Sequence, residues 1–321
     1  MGHGSFRSDD WDTFRSVNSI DTLSIEETFR PSISTDFDPS IIKKLRESCE
    51  TSDKPKVTPI IIALDVTGSM GKIPDSLIKG GLGKLMASIL ARASIPNPHV
   101  MFMAIGDVNC DSAPLQVTQF EADIRIANQL KDLYLEGGGG GNGSESYPLA
   151  WYFAATRTKL DSFNNRGEKG ILFTIGDDDV PLKINASHIR RFLGEPDARD
   201  VVTRDILSKV QKTYDVFHLG IKQGNSYTPT VQSSWANLLG ERLITVQDYS
   251  KVDEIIVSTI DSLIAQRQKL QDNIRNHMAS RVAVLSGRSQ VAAPVPMQID
   301  GDALPPSYTQ ATGIAVRRGS R

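Results

Sequence analysis

The feature that most constrains the fold is a continuous apolar run at residues 60–64, read Ile-Ile-Ile-Ala-Leu, which ends at Asp65. The run is rich in β-branched residues and shows no polar–apolar alternation, which is typical of a strand buried on both faces of a parallel sheet. Parallel strands need crossover connections, and these are usually helices. The run therefore predicts an α/β protein in which strands and helices alternate.

Five further segments have strand character, and amphipathic helical patterns separate most of them. The six predicted strands lie at residues 60–64, 100–105, 115–120, 171–175, 216–221 and 243–246. The third reads as an edge strand, and a closing amphipathic helix begins at Val252 and is expected to continue past Leu270. This order predicts a doubly wound, mainly parallel six-stranded sheet flanked by helices, a Rossmann-like layout.

Three oxygen-bearing side chains, Asp65, Thr67 and Ser69, alternate where the first buried strand meets a helix. Ligands of open α/β sheets bind in the crevice beyond the carboxyl ends of the strands. A carboxylate and two hydroxyls there predict a site for a hard cation such as Mg²⁺. An ordinary helix N-cap by Thr67 or Ser69 is the alternative, although it leaves the charge of Asp65 unexplained.

The segment at residues 65–70, Asp-Val-Thr-Gly-Ser-Met, resembles the metal-ion-dependent adhesion site (MIDAS) of the von Willebrand factor A (vWA) domain. The usual signature is Asp-x-Ser-x-Ser-Met, and Thr67 keeps the hydroxyl of the middle serine. The resemblance covers roughly residues 57–271. It implies a vWA fold with metal ligands from three loops.

The second and third loops are assigned by the same resemblance. The Asp that follows the fourth strand of the family corresponds to Asp177. The usual Thr of the second loop is absent, and Glu145 or Ser144 stands there, after a glycine run at residues 137–141. Similar Gly-rich acidic loops occur in vWA domains joined to alpha-kinases, so Glu145 is preferred. The implied ligands of Mg²⁺, with Mn²⁺ or Ca²⁺ as alternatives, are Asp65, Thr67, Ser69, Glu145 and Asp177.

The resemblance implies a binding module rather than an enzyme, namely an adaptor or assembly factor whose metal accepts an acidic side chain of a protein partner. It also suggests a MoxR-type AAA+ ATPase as that partner. One alternative is a Mg²⁺-dependent phosphohydrolase of the haloacid-dehalogenase type. That class needs a second Asp where Thr67 stands and a later Asp where Pro181 stands. A structural assembly protein with a silent metal site is the other alternative.

Composition excludes several function classes. The net charge of −2 gives no general reason to expect nucleic acid or an anionic membrane as a partner. Two cysteines cannot form a disulfide framework, which favours a reducing compartment. No run of about 18 apolar residues and no secretory apolar core is present. We therefore expect a cytoplasmic protein.

Both extremities differ from the central region. Residues 1–56 are predicted to form an N-terminal arm and a short helix that begins at Asp38-Pro39. The arm is predicted to be mostly flexible over residues 1–35, with Trp11, Phe14 and Phe29 as the aromatic residues that could pin it. The predicted vWA domain is 57–271, and 272–321 comprises the end of the last helix and a Pro-rich disordered tail. Pro305, Pro306 and Tyr308 of this tail match the PPxY ligand of WW domains.

Overall fold

The computed structural model describes residues 8–20, 22–71, 73–76, 82–90, 95–136, 143–222 and 225–285. The glycine run at 137–141 and the tail residues Pro305, Pro306 and Tyr308 lie outside this part of the chain. The predictions made for them stay predictions.

A six-stranded sheet forms the centre of the protein. The strands of the described residues are β1 Arg46–Ser48, β2 Thr58–Asp65, β3 Pro98–Ile105, β4 Leu115–Val117, β5 Thr158–Leu160, β6 Gly170–Gly176, β7 Lys183–Ile184, β8 Val201–Val202, β9 Tyr214–Ile221 and β10 Leu243–Val246. The central sheet has the order β10-β9-β6-β2-β3-β4, and its only antiparallel pair is β3–β4. Every residue of β2, β3, β6 and β9 is buried. The predicted six-stranded, mainly parallel α/β sheet is confirmed.

Helices cover both faces of this sheet. The helices of the described residues are α1 Ser8–Val17, α2 Ile25–Thr28, α3 Ile73–Ser76, α4 Leu82–Leu90, α5 Arg125–Lys131, α6 Tyr147–Arg157, α7 Asp161–Arg166, α8 Ala186–Leu193, α9 Thr203–Val210, α10 Pro229–Leu239 and α11 Val252–Leu285. Successive residues of a strand point to opposite faces. Accordingly, Ile60 and Ile62 of β2 pack in one apolar cluster with α1, α4, α5 and α11, while Ile61 and Ala63 pack in a second with α6, α8, α9 and α10.

The order of the strands brings the carboxyl ends of β2 and β6 together at one edge of the sheet. Strand β2 lies between β3 and β6 and is parallel to both. Asp65 is the last residue of β2, and Asp177 directly follows the last residue of β6. Because β3 and β6 lie on opposite sides of β2, the strand order reverses here, and this is where open α/β sheets bind ligands.

The N-terminal region differs from the prediction of a flexible arm. In the described part of residues 1–35, α1 buries Trp11 and Phe14 within the same apolar cluster as Ile60 of β2. The two aromatic residues are three positions apart, so one helix face carries both. Their rings stack with centroids 5.6 Å apart.

The short helix predicted at Asp38-Pro39 is wrong. Residues 38–41 form turns, because the Asp38 carboxylate accepts hydrogen bonds from Ser40 N at 2.8 Å and Ser40 Oγ at 2.7 Å. Such side-chain bonds offer the backbone an alternative to a helix. Strand β1 follows and pairs with β5.

The chain divides into two compact units, Met1–Ala265 and Gln266–Arg321. The first contains the central sheet, and the described part of the second is the C-terminal portion of α11. The predicted continuation of this helix past Leu270 is confirmed, whereas the predicted domain limits at 57 and 271 stay predictions. In the described residues, no helix is long and apolar enough to cross a membrane.

Candidate metal centre

The site begins where β2 ends. Asp65 is fully buried, and its Oδ1 accepts hydrogen bonds from Thr67 N at 2.9 Å and from Thr67 Oγ1 at 2.6 Å. These bonds turn the chain out of the strand into a short 3₁₀ helix, Gly68–Met70. Thr67 occupies the N-cap position of that helix but makes no side-chain capping bond. Its hydroxyl instead contacts a carboxylate, so the N-cap interpretation of Thr67 is wrong.

A chain of polar contacts connects this loop to the end of β6. Ser69 Oγ donates to Asp177 Oδ1 at 2.8 Å, and Thr67 Oγ1 lies 3.2 Å from Ser69 Oγ. A hydroxyl has only one proton, and here each is directed to a carboxylate. The lone pairs of the two hydroxyl oxygens can therefore face each other, which is an arrangement that a cation would stabilise.

The charges around Asp65 and Asp177 also favour the binding of a cation between them. Burial, opposed by hydrogen bonds and reinforced by the Asp177 charge, raises the pKa of Asp65 to about 7. Burial is also the main reason why the pKa of Asp177 rises to about 6, with the Asp178 charge adding to it. The charged neighbours that act on these two groups are themselves carboxylates. A positive ion in contact with both would favour their ionised forms.

Two residues that sequence reasoning missed complete the surroundings of Asp65. Tyr147, at the start of α6, donates its hydroxyl to Asp65 Oδ2 at 2.7 Å. Gly176 allows this approach, because a Cβ there would lie 1.9 Å from Tyr147 Oη and 2.9 Å from Asp65 Oδ2. A glycine that ends a strand beside a carboxylate is a usable sequence signal for such close packing. The start of an apolar helix gives no comparable signal for Tyr147.

The aromatic side chains of Tyr147, His218 and Trp235 pack together beside the site. The rings of His218 and Trp235 stack with centroids 3.5 Å apart, and the edge of Tyr147 contacts both. Trp235 Nε1 donates to the Asp178 carbonyl at 3.0 Å, which fixes the loop after β6. Burial lowers the pKa of His218 well below its ordinary value. His218 is a fully buried residue of β9.

Glu145 lies beside this chain of residues and is not bonded to it. The backbone N–H of Glu145 donates to the Asp179 carbonyl at 3.1 Å, and that of Ser146 donates to the Gly106 carbonyl at 3.2 Å. The Glu145 side chain is buried, and its Oε2 has no hydrogen-bond partner among the described residues. Burial first, and then the charges of four carboxylates headed by that of Asp65, raise its pKa to about 10.

The structure thus joins four of the five predicted ligands, namely Asp65, Thr67, Ser69 and Asp177. In the described residues no group of three or more His, Cys, Asp or Glu side chains could hold a metal ion. The available donor set is therefore two carboxylates and two hydroxyls. All of these donors are oxygens, which fits Mg²⁺ better than a metal that prefers nitrogen or sulfur. Glu145 as a further ligand stays a prediction.

Comparison with known proteins gives limited information. No protein-family model and no curated protein matches the sequence. Among solved structures, the pilus adhesin SpaC from Lactobacillus rhamnosus GG is similar over 65% of this chain and 30% of that protein, with 9% identity and a TM-score of 0.44. Proximal thread matrix protein 1 from the mussel byssus is similar over 65% of this chain and 47% of that protein, with 12% identity and a TM-score of 0.42.

A third similar structure is BatB from Bacteroides thetaiotaomicron, which matches over 65% of this chain and 99% of its own length, with 13% identity and a TM-score of 0.39. One structure of the mussel protein is described as having a zinc-occupied MIDAS motif. This chain spans less than half the length of the adhesin and of the mussel protein. Likenesses of this degree identify neither the family nor the function of the chain.

Proposed function

We propose that the protein is an intracellular vWA-type binding module that takes up a divalent cation, Mg²⁺ first, and through it a protein partner. The observation that carries this proposal is the chain of polar contacts from Asp65 through Thr67 and Ser69 to Asp177, in which each hydroxyl donates to a carboxylate. It brings two carboxylates and two hydroxyls from the ends of β2 and β6 to one point. Such a collection of buried acidic oxygens is unfavourable unless positive charge compensates it.

The four side chains would divide the work of holding the cation. Asp65 and Asp177 would supply charge, while Thr67 and Ser69 would supply neutral oxygens. A bound Mg²⁺ would offer a coordination position to an acidic side chain of the partner. Two carboxylates neutralise a divalent ion, whereas a third from Glu145 would leave net negative charge and weaken the attraction for that side chain. The geometry, with Glu145 outside the chain of bonds, supports the less anionic set.

The biological role follows the same proposal. A module that captures acidic side chains would act as an adaptor or assembly factor in the cytoplasm, with a MoxR-type AAA+ ATPase as one candidate partner. Mn²⁺ or Ca²⁺ would be accepted by the same oxygens with different geometric demands.

The environment of Asp65 argues against the phosphohydrolase alternative. A nucleophilic carboxylate must reach its substrate, but Asp65 is fully buried and both of its oxygens accept hydrogen bonds, from Thr67 and Tyr147. Thr67 also stands where that class needs a second carboxylate, and a hydroxyl is a poor general acid near neutral pH. We therefore propose a binding protein rather than an enzyme.

Calorimetric titration with Mg²⁺ tests the proposal. Asp65→Ala should abolish binding, while Asp197→Ala, which removes an exposed carboxylate, should bind like the wild type. Circular dichroism checks that both variants are folded. Equal affinity of wild type and Asp65→Ala would contradict the site. Turnover of phosphate esters that Asp65→Asn abolishes would support the phosphohydrolase instead.

A further inference from the structure

A pocket opens next to the metal centre, and the buried residue Glu145 is among those that line it. The pocket has a volume of about 90 Å³, and none of the four bonded ligand residues lines it. Glu145 is 3% exposed, and its Oε2 has no hydrogen-bond partner among the described residues. An unpartnered buried carboxyl oxygen is costly, so a group that donates to it would be stabilising, and a cationic donor would lower the raised pKa of Glu145 and favour its ionised form. We call this cavity the Glu145 pocket.

The other residues that line the pocket indicate what kind of group could donate a hydrogen bond to Glu145. Apolar walls come from Pro148 and Leu149 on α6 and from Ile184 of β7, while Asn109 and Asn185 contribute polar amide groups. Glu145 and Leu149 are buried and Asn109 is exposed, so the Glu145 carboxyl group lies at the buried end of the pocket. An aliphatic chain with a polar tip fits such a pocket, because its stem can contact the apolar residues while its tip reaches Glu145.

The acidic groups around the pocket favour a cationic tip. Asp107 also lines it, and the charges of Asp65, Asp111 and Asp178 act on Glu145. Lys183 stands at the opening, but its Nζ donates to Asp200 Oδ2 at 2.7 Å, so it does not neutralise Glu145. The exclusion of anions follows from these charges.

An alkylammonium fits better than the other cations. A metal ion needs several oxygen ligands, whereas in the described part of the chain no group of three or more His, Cys, Asp or Glu side chains could hold one. The planar guanidinium of arginine favours two parallel bonds to a carboxylate, but the ammonium of lysine is a compact charge on an unbranched stem. A volume of about 90 Å³ has room for the end of one such side chain.

We propose that the Glu145 pocket receives a lysine side chain of the protein partner. This inference rests on the proposed function only in that the partner is a protein. The partner would then present two groups to this edge of the sheet: an acidic side chain for the metal centre and a lysine for the Glu145 pocket.

Titration with a blocked lysine, Nα-acetyl-lysine methylamide, monitored by backbone amide shifts in NMR spectra of the full chain, tests the inference. We expect saturable shifts at residues 107–109, 144–149 and 183–188, and affinity at least tenfold weaker in Glu145→Gln. The blocked norleucine analogue has the same stem without the ammonium and should cause none of these shifts. Asp65→Asn should keep the lysine-dependent shifts, because Asp65 does not line the pocket.

The outcomes separate this inference from the metal site. Absence of saturable shifts, or equal lysine affinity in wild type and Glu145→Gln, would overturn it. Loss of Mg²⁺ affinity in Glu145→Gln with lysine binding intact would overturn it too, and would assign Glu145 to the metal. Binding of n-butylammonium but not of the blocked lysine would replace the partner's lysine with a free amine. Failure of the proposed function is read separately, from equal Mg²⁺ binding by wild type and Asp65→Ala.

Discussion

Asp65 keeps a carboxylate in the interior of the sheet, which is unfavourable unless hydrogen bonds and charge replace the lost water. Thr67 supplies two bonds to Oδ1, and Tyr147 supplies one to Oδ2. All three bonds lower the pKa of Asp65, yet burial outweighs them and the pKa rises to about 7. The residue is therefore poised so that a single lost bond changes its ionisation near neutral pH.

Tyr147→Phe should reveal this balance. The substitution removes the hydroxyl bonded to Asp65 Oδ2 and leaves the ring in its contacts with His218 and Trp235. The pKa of Asp65 should then rise further, so that a proton competes better with the cation at pH 7. We expect Mg²⁺ affinity to fall several-fold at pH 7 and less at pH 9, as measured by calorimetry.

The matched control for this experiment is Tyr152→Phe, on the same helix. It also removes a hydroxyl that donates to a carboxylate, that of Glu195 at 2.7 Å, but this pair is not part of the metal centre. It should leave Mg²⁺ affinity unchanged at both pH values. An equal loss for Tyr147→Phe at pH 7 and pH 9 would show that the hydroxyl acts on something other than the ionisation of Asp65.

At the scale of elements, continuous apolar runs made the central strands predictable. Strands β2, β3 and β6 are buried throughout, and their sequences show it directly. The sequence also predicted that Asp65 and Asp177 lie close together, since the carboxyl ends of parallel strands meet at one edge of the sheet. The edge strand predicted at 115–120 is shorter in the structure, where β4 is Leu115–Val117. The short strands β1, β5, β7 and β8, which lie outside the central sheet, were not predicted, because two or three residues without an apolar run show no periodicity.

Tertiary contacts explain the other differences from the sequence predictions. Tyr147 reaches Asp65 only because Gly176 lacks a side chain, and those three residues are far apart in the sequence. Helix α1 was not predicted, because it lies in a polar segment and its two buried aromatic residues form a packing face only in the apolar cluster that they share with the sheet. Glu145 was assigned by its place in a loop, which does not fix where a side chain is directed.

The docking of α1 can be tested with Trp11→Ala. Trp11 is 6% exposed and belongs to the main apolar cluster. Removing such a side chain leaves a cavity and typically costs about 3–5 kcal/mol of unfolding free energy. Urea denaturation should show this loss, whereas Thr13→Ala, at an exposed position of the same helix, should change stability by less than about 0.5 kcal/mol. Equal stability of wild type and Trp11→Ala would contradict the docking of α1 and support the prediction of a flexible arm.

At the scale of the whole molecule, charge is distributed unevenly. The chain has a net charge of only −2, but Asp65, Asp177 and Glu145 are all buried at one edge of the sheet. Their pKa values are raised to about 7, 6 and 10, from ordinary values of 3.8 for Asp and 4.5 for Glu. The folded protein therefore holds protons on these groups that the unfolded chain has already released.

This difference fixes the sign of the pH dependence of stability. Where the folded state binds more protons than the unfolded state, the free energy of unfolding falls as the pH rises. Below about pH 6.5 the buried His99 and His218 act in the opposite sense, because burial lowers their pKa values and only the unfolded chain protonates them. The carboxylate effect is therefore cleanest between pH 7 and pH 9, where Glu145 contributes most.

In EDTA, we expect the thermal midpoint of the protein to fall between pH 7 and pH 9. The loss due to Glu145 is at most about 2–3 kcal/mol, since one pKa unit corresponds to about 1.4 kcal/mol. Mg²⁺ binds the ionised carboxylates of the folded state, so millimolar Mg²⁺ should raise the midpoint, and by more at pH 9 than at pH 7. Glu145→Gln should flatten the profile in EDTA but keep the response to Mg²⁺, whereas Asp65→Ala should lose that response. Scanning calorimetry provides the measurement, and a midpoint that rose with pH in EDTA would contradict the assignment of these buried carboxylates.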